Sequence, residues 1–438
     1  MIATLMLFFS IAQASLLSES AHHSNRAYQD VLLRCSERIW PGIDWRELQL
    51  LYSDPESKNA WLISASSPKP ELIVKDQTIE DIFEKGFRHG FLEFRGLRTL
   101  AVNISGVSPS NAFRVAVRAS FVEIGQRDWE NPMFDNRGSF YPLLPEPRYY
   151  RRMALESFKK AFAAISQNRD PKPFFSNSVY WQRKWKLRYP EELPMRTDSV
   201  DGTALYVEQM AHLFNQIGCA SSDAEVIAAY QKYILPELTL TPNDAQASEG
   251  KVLGAISSFL LNLTQPDWFA KMNGRLMPTD LLVEGLRSEW QAQNLGLREQ
   301  YTTRIESLQT SARRRLNPTL EKERDPFYIR ISIPASWQKG GLSLQPGFVL
   351  RNRRDTALMI FDENHDFMSE RGRIHIPSQS LVFQTRRNGC GGVFHFLMPF
   401  YSVSKVKSRF SGNHWWHRFN LEGKRKTVNG LAWICPRE

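Results

Sequence analysis

Residues Asn111 to Trp129 read NAFRVAVRASFVEIGQRDW, and the fold turns on how that stretch is interpreted. It contains no Pro and no Gly before Gly125. Its apolar residues, Ala112, Phe113, Val115, Ala116, Val117, Ala119, Phe121, Val122 and Ile124, cover almost the whole helical wheel, and only Arg114, Arg118, Ser120 and Glu123 interrupt them. A helix apolar on every side belongs inside a domain. The spacing therefore predicts a buried central helix, N-capped by Ser110 or Asn111. Arg118 then stands as a cation in a core, and a buried cation without a carboxylate partner is costly. What faces Arg118 is the sharpest question the stretch raises.

Upstream, Ala27 to Ile39 has helical spacing and ends at Pro41-Gly42. Leu48–Tyr52, Ala60–Ala65, Leu72–Val74 and Arg98–Ser105 read as strands of a small antiparallel sheet. Downstream, residues 131–150 carry four prolines and read as a loop. Tyr149–Ser166 reads as a helix, with Met153, Phe158, Phe162 and Ile165 on the apolar face and Arg151, Arg152, Glu156, Lys159 and Lys160 on the rest. The aromatic, Pro-containing stretch 171–195 is expected to be irregular. Further helices are expected over Asp201–Ile217, stopped by Gly218, and over Ala224–Tyr233, Ser248–Leu263, Thr279–Gln291 and Arg298–Leu316. Gly250, Gly254, Ala255 and Ser258 leave room for close approach of a neighbouring helix.

Asn317–Asp325 reads as a linker, after which the period changes to two. Short strands are expected at Tyr328–Ile333, Phe348–Arg351, Leu358–Phe361, Arg373–Ile376, Leu381–Gln384, Val393–Leu397 and Leu431–Ile434. The fold class is thus α+β: a small N-terminal antiparallel sheet packed on a mainly helical domain over residues 15–320, followed by a small β-rich domain over 325–438.

The 438 residues are 42% hydrophobic and 23% charged, ordinary values for a soluble globular chain. The opening run MIATLMLFFSIAQAS is too short to span a bilayer and ends in Ala12-Gln13-Ala14. It reads as a signal peptide over residues 1–14, cleaved after Ala14. No later stretch reaches the roughly 20 apolar residues of a membrane helix, so the mature protein is expected to be exported, periplasmic or secreted.

The four cysteines, Cys35, Cys219, Cys390 and Cys435, allow three connectivities of two disulfides. Cys390 and Cys435 share the C-terminal segment and are the preferred pair. The net charge is +10, and from Asp325 onward 17 Lys and Arg face 8 Asp and Glu. A solvated basic surface explains this most simply; attraction to an anionic cell-envelope component is the functional reading, with nucleic acid least favoured.

Motifs exclude several chemistries. There is no HExxH, P-loop, dinucleotide fingerprint or GxSxG elbow in the sequence. Glu208 and His212 share a helix face, but two ligands do not make a metal site. Cys390, within Gly389-Cys390-Gly391-Gly392, reads as a disulfide or buried thiol before a nucleophile. His414-Trp415-Trp416-His417 is read first as packing and second as a sugar-stacking cluster.

Three pieces nevertheless resemble exported bacterial proteins related to the gluzincin zinc peptidases. They are Ile39-Trp40-Pro41-Gly42, the run Asp201-Gly202-Thr203-Ala204-Leu205-Tyr206-Val207-Glu208, and Gly250 to Leu263 followed by Trp268. The resemblance spans residues 30–290 and implies that the Asn111 helix replaces one carrying HExxH. That motif would fall on Arg118-Ala119-Ser120-Phe121-Val122, and the third ligand position on Asp201. Arg118, Phe121 and Val122 offer zinc no lone pair, so the resemblance implies no metal, no cofactor and no metallopeptidase activity. The expected replacement is an ion pair between Arg118 and Asp201. Arg118, Ala119, Val122, Glu123, Asp201, Tyr206, Glu208 and His212 would surround the degenerate pocket.

Taken together, these readings predict a catalytically inactive, exported peptidase-like protein that works by binding or scaffolding, with an anionic envelope component or a protein as partner. The alternatives are an active hydrolase with a different catalytic set and a cell-envelope glycan binder.

Overall fold

In the computed structural model the described residues are 18–54, 59–74, 89–104, 107–129, 144–190, 197–242, 246–265, 267–333, 346–351, 356–361, 365–369, 372–376, 380–384, 390, 394–399, 403–406, 409–414, 417–428 and 431–436. The expected signal segment 1–14 and the Trp415-Trp416 pair lie outside them.

The N-terminal sheet has the order β3-β2-β1-β5-β4, with β1 Leu48–Asp54, β2 Asn59–Ile63, β3 Glu71–Val74, β4 His89–Phe94 and β5 Leu97–Asn103. It is mixed: β1 and β5 run parallel, while every other neighbouring pair is antiparallel. β4, which the sequence reading passed over, joins β5 through Arg95-Gly96, both at positive φ. Left-handed residues at both positions match the twist of a tight hairpin, and an Arg in the first of them is an uncommon signature.

The helical region begins with α1 (residues 18–27, continued by a π-helical turn Tyr28–Leu32) and the single turn α2, Ser36–Ile39. Then follow α3 Pro109–Ser120, α4 Pro145–Ser166, α5 Lys172–Arg188, α6 Val200–Ile217, α7 Asp223–Ala229, α8 Gln246–Thr264, α9 Pro278–Leu282 and α10 Leu295–Arg324. The stretch expected to be irregular is α5, whose Phe175, Ser178, Trp181, Gln182 and Trp185 are buried. Those positions recur every three to four residues, so tertiary burial of a helical face overrides the poor helix preference of aromatics. Conversely, only Pro278–Leu282 of the expected 279–291 helix forms, and Gly285 at positive φ lies just beyond it. The expected linker is the last turns of α10, which runs through Pro318 to Arg324.

Two features centre the helices. Trp40, from the Ile39-Trp40-Pro41-Gly42 run, meets the rings of Phe121, Tyr206, Trp268 and Phe269 at centroid separations of 4.7, 6.4, 5.2 and 5.0 Å. Gly42 turns the chain away at φ +82°, a conformation that side chains resist. The second feature is the crossing of α6 and α8: a Cβ on Gly202 would stand 2.5 Å from the Gly254 Cα, and one on Gly254 would stand 2.1 Å from the Asp198 carbonyl oxygen. Both obstacles are backbone and cannot step aside.

Two ion pairs tie α4 to the starts of these helices. Arg148 pairs with Glu249 at 2.7 Å, both buried, and Arg151 pairs with buried Asp198 while its guanidinium lies 4.2 Å over Trp185. Arg151 is therefore a core residue, not one of the solvent face as its helix pattern suggests. Glu249 lies in the first turn of α8, where the helix dipole favours a negative charge.

A disulfide joins Cys35, just before α2, to Cys219, just beyond α6. Beside it Arg38 donates to the carbonyls of Cys219 and Ser221 at 2.7 and 2.6 Å.

The C-terminal unit comprises β6 Tyr328–Ile333, β7 Pro346–Arg351, β8 Thr356–Phe361, β9 His365–Ser369, β10 Gly372–Ile376, β11 Ser380–Gln384, β12 Phe394–Pro399, β13 Val403–Val406, β14 Arg409–His414, β15 His417–Val428 and β16 Leu431–Pro436. The sheet path is β13-β14-β15-β16-β6-β12-β11-β8-β7, with β10 and β9 branching from β15. Its centre buries Ile329, Ile331, Phe396, Met398 and Ile434. Cys390 is bonded to Cys435, and His395 stacks edge-on against Trp433 at 4.7 Å. With its sulfur in a disulfide, Cys390 is no nucleophile.

The α6–α8 crossing gives a direct test. Gly254→Ala forces the two backbones apart and is expected to cost about 2–3 kcal/mol or more, as overpacking does. Gly285→Ala, in open space but at positive φ, is expected to cost about 1 kcal/mol. Denaturant unfolding of both variants checks the order.

Candidate functional site

The opening helix is α3, and it is amphipathic instead of buried all round. Ala112, Phe113, Ala116, Val117 and Ser120 face the core, whereas Val115 is 39% exposed. Arg118 is not a core residue either: its side chain is 38% exposed. The buried charge belongs to the other helix. Glu208, in the middle of α6, is only 5% exposed and accepts from two guanidiniums. Arg118 Nη2 approaches its Oε2 at 2.5 Å and Arg114 Nε its Oε1 at 2.7 Å. Arg114 also reaches Glu237 at 3.3 Å, in the segment after the π-helical turn Tyr230–Ile234.

The expected Arg118–Asp201 pair is therefore not formed; the partner of Arg118 is Glu208. The spacing explains the change. Arg114 and Arg118 are one turn apart on α3 and repel each other unless an anion stands between them. Asp201 lies at the first turn of α6, whereas Glu208, two turns further on, faces both arginines. Arg114 was read only as a polar break, yet its i,i+4 relation to Arg118 placed the two on one helix face.

Asp201 remains within the field of this cluster. Burial pushes its carboxyl above the ordinary carboxylate range, and the charges of Lys251 on α8 and Arg118 on α3 offset only part of that. For Arg114, burial works against the charge, but Glu208 and Glu237 outweigh it and its pKa is raised. His212, one turn beyond Glu208, has its pKa lowered, first by burial and then by Arg114, with Glu237 opposing. The Gln216 amide nitrogen lies 3.0 Å from His212 Nε2. An amide nitrogen can only donate, so this ring nitrogen accepts, as a neutral imidazole can.

The other expected pocket residues divide. Ala119 and Val122 are half-buried beside Arg118 on α3 and its π-helical continuation Phe121–Gly125. Glu123 turns away to pair with Arg98 of β5 at 2.7 Å. Tyr206 faces the opposite side of α6, buried against Trp40 and Trp268, and burial raises its pKa. The stripe that remains on α6 is Asp201, Leu205, Glu208 and His212, successive turns of one face.

A zinc ion of the kind the resemblance brings to mind does not fit this donor set. Both Glu208 oxygens are engaged by guanidiniums, which have no lone pair to give. His212 is bonded to its own helix, and among the described residues no three His, Cys, Asp or Glu side chains gather as a metal-holding group. What the arrangement can do chemically is present an ordered set of charges where α3 packs against α6. No family model, curated protein or solved structure matches the chain.

Two predictions follow from the cluster. Glu208→Gln takes from Arg118 its paired carboxylate and leaves Arg114 only the exposed Glu237, and is expected to cost about 3 kcal/mol. Arg118→Ala, half-exposed and with Arg114 still holding Glu208, is expected to cost about 1 kcal/mol; chemical denaturation orders the two. Asp201 supplies the pH test. Its folded-state pKa is raised, so its contribution is fully present below the unfolded value near 3.8 and is lost as pH rises through the folded value. Asp201→Asn escapes that loss, so the gap in Tm in favour of the variant is expected to be wider at pH 7 than at about pH 3.5.

Proposed function

We propose that this chain is an exported, peptidase-like protein that acts by binding or scaffolding and performs no metal-dependent hydrolysis. The observation that supports this reading most is the double clamp of Arg114 and Arg118 on Glu208, between the two helices on which the resemblance would place metal ligands. A carboxylate committed to two guanidiniums is neither a free ligand nor a free base. The two disulfides are compatible with an oxidising compartment, and no helix among the described residues is long and apolar enough to cross a membrane. Residues of the α6 stripe, with Ala119 and Val122 beside them, would form the retained binding groove.

One observation favours the alternative of an active hydrolase. A half-buried carboxyl with a raised pKa, as at Asp201, is a form that general acids take. Metal analysis separates the two readings. The protein purified after growth with added zinc is expected to carry far less than one zinc per chain, and Asp201→Ala is expected to leave that content unchanged. Stoichiometric zinc that disappears in Asp201→Ala, together with zinc-dependent cleavage of an unfolded protein substrate, would overturn the proposal.

A further inference from the structure

We propose that Arg118, Asp201 and Lys251 form a subsite for the carboxylate of an aliphatic monoanion. This deepens the binding reading given above and rests on it.

Helix contacts bring the three residues to one place. Just past the π-helical continuation of α3, the Gln126 amide nitrogen donates to the Val200 carbonyl and the Thr203 hydroxyl at 2.8 and 3.0 Å. Arg118, two turns earlier, meets Glu208, two turns later on α6. The two elements therefore run antiparallel, and Asp201 faces Arg118. On the α8 side, a Cβ on Gly202 would stand 3.2 Å from the Gly250 carbonyl oxygen, so the adjacent residues Asp201 and Lys251 flank one crossing. Asp201 and Lys251 are half-buried, as are the aliphatic side chains of Ala119, Val122 and Leu205.

The pairing of charges is incomplete only here. The buried acids of α6 and α8 and of the turn before α6 have guanidinium partners: Arg151 for Asp198, Arg114 and Arg118 for Glu208, and Arg148 for Glu249. The Asp201 carboxyl has two cations in its field, Arg118 and Lys251, yet among the described residues it forms no ion pair or hydrogen bond with either. Lys251 has no such partner at all, and Arg118 engages only its Nη2, on Glu208. Two cations that face a carboxyl without touching it are the donors that a bridging anion requires.

The charges also select the ligand. Arg114, Arg118 and Lys251 stand against Glu208 and Glu237, three cations to two carboxylates, as long as Asp201 holds its proton. A monoanion balances that set, whereas a phosphate dianion exceeds it and an amine adds to it. Burial holds the Asp201 proton to higher pH than an ordinary carboxyl would, so it can be shared with an incoming carboxylate. The half-buried Ala119, Val122 and Leu205 offer the rest of the ligand an aliphatic surface and no hydrogen-bonding side chain.

The test is calorimetric titration of the full chain with hexanoate, hexylammonium or inorganic phosphate, after chelator treatment and with zinc content measured. Hexanoate alone is expected to bind. Lys251→Met is expected to weaken it about tenfold, the loss of one charge-assisted hydrogen bond. Lys172→Met, exposed at the start of α5, is expected to leave it unchanged. Wild-type affinity is expected to fall as pH rises through the ionisation of Asp201, while Asp201→Asn, a donor that cannot ionise, holds its affinity over the same range. No binding of hexanoate, equal binding by Lys251→Met, or a wild-type pH profile as flat as that of Asp201→Asn would each overturn the proposal. So would phosphate bound as tightly as hexanoate, the mark of a plain basic surface, or preferential binding of hexylammonium, the mark of an ionised Asp201. Hexanoate binding that appears only when zinc is restored would overturn the binding reading as well; absence of binding in a chain that also holds no zinc overturns the subsite alone.

Discussion

The close crossing of α6 and α8 is the constraint on which the helical region depends. Two glycines, Gly202 and Gly254, put the helix backbones in contact, with the Asp198 carbonyl against the same point. No side chain can enter that crossing, so the relative position of the two helices is settled by backbone sterics and not by the adaptable packing of larger residues. Their N-terminal ends then lie together. The buried acids there, Asp198 and Glu249, are met by Arg151 and Arg148 of one neighbouring helix, α4. Removing a partner from such a pair would leave a buried charge, which costs more than the pair contributes.

With α6 held in place, one of its faces is presented to α3. Glu208 loses nearly all its water on that face, and Arg114 and Arg118 replace it. The pair of arginines and the single carboxylate form an arrangement with little freedom, because each arginine needs the shared anion to screen it from the other. Such a cluster specifies register between two helices more than it adds net stability. It also engages both oxygens of Glu208, so that carboxylate is neither a free ligand nor a free base. Asp201, at the end of the stripe, keeps the only raised carboxyl pKa resolved among the described residues.

The β-rich unit differs in kind. It is pinned by its own disulfide, Cys390–Cys435, and α10 runs to its first strand without an intervening loop of any length. Among the described residues its buried side chains come from β6, β12 and β16, and its charge is almost the whole net charge of the chain.

Periodicity alone determined the two regimes of this chain, the helices α6 and α8, and most of the strands on both sides, because burial of one face writes itself into spacing. The glycines of α8 announced a close neighbour, whereas Trp40 and Asp201 were marked only by the resemblance to the gluzincin-like proteins. Spacing could not show that α5 exists, since its aromatics have weak helix preference and only the burial of Trp181 and Trp185 holds them in a helix. Nor could it tell that α3 leaves Val115 and Arg118 half-open, because an apolar side chain reads the same whether a neighbour covers it or not. The partner of Arg118 was undecidable along the chain: Asp201 and Glu208 lie on one face of α6, and only the rotation and height of α3 against that helix put Glu208, and not Asp201, between the two arginines.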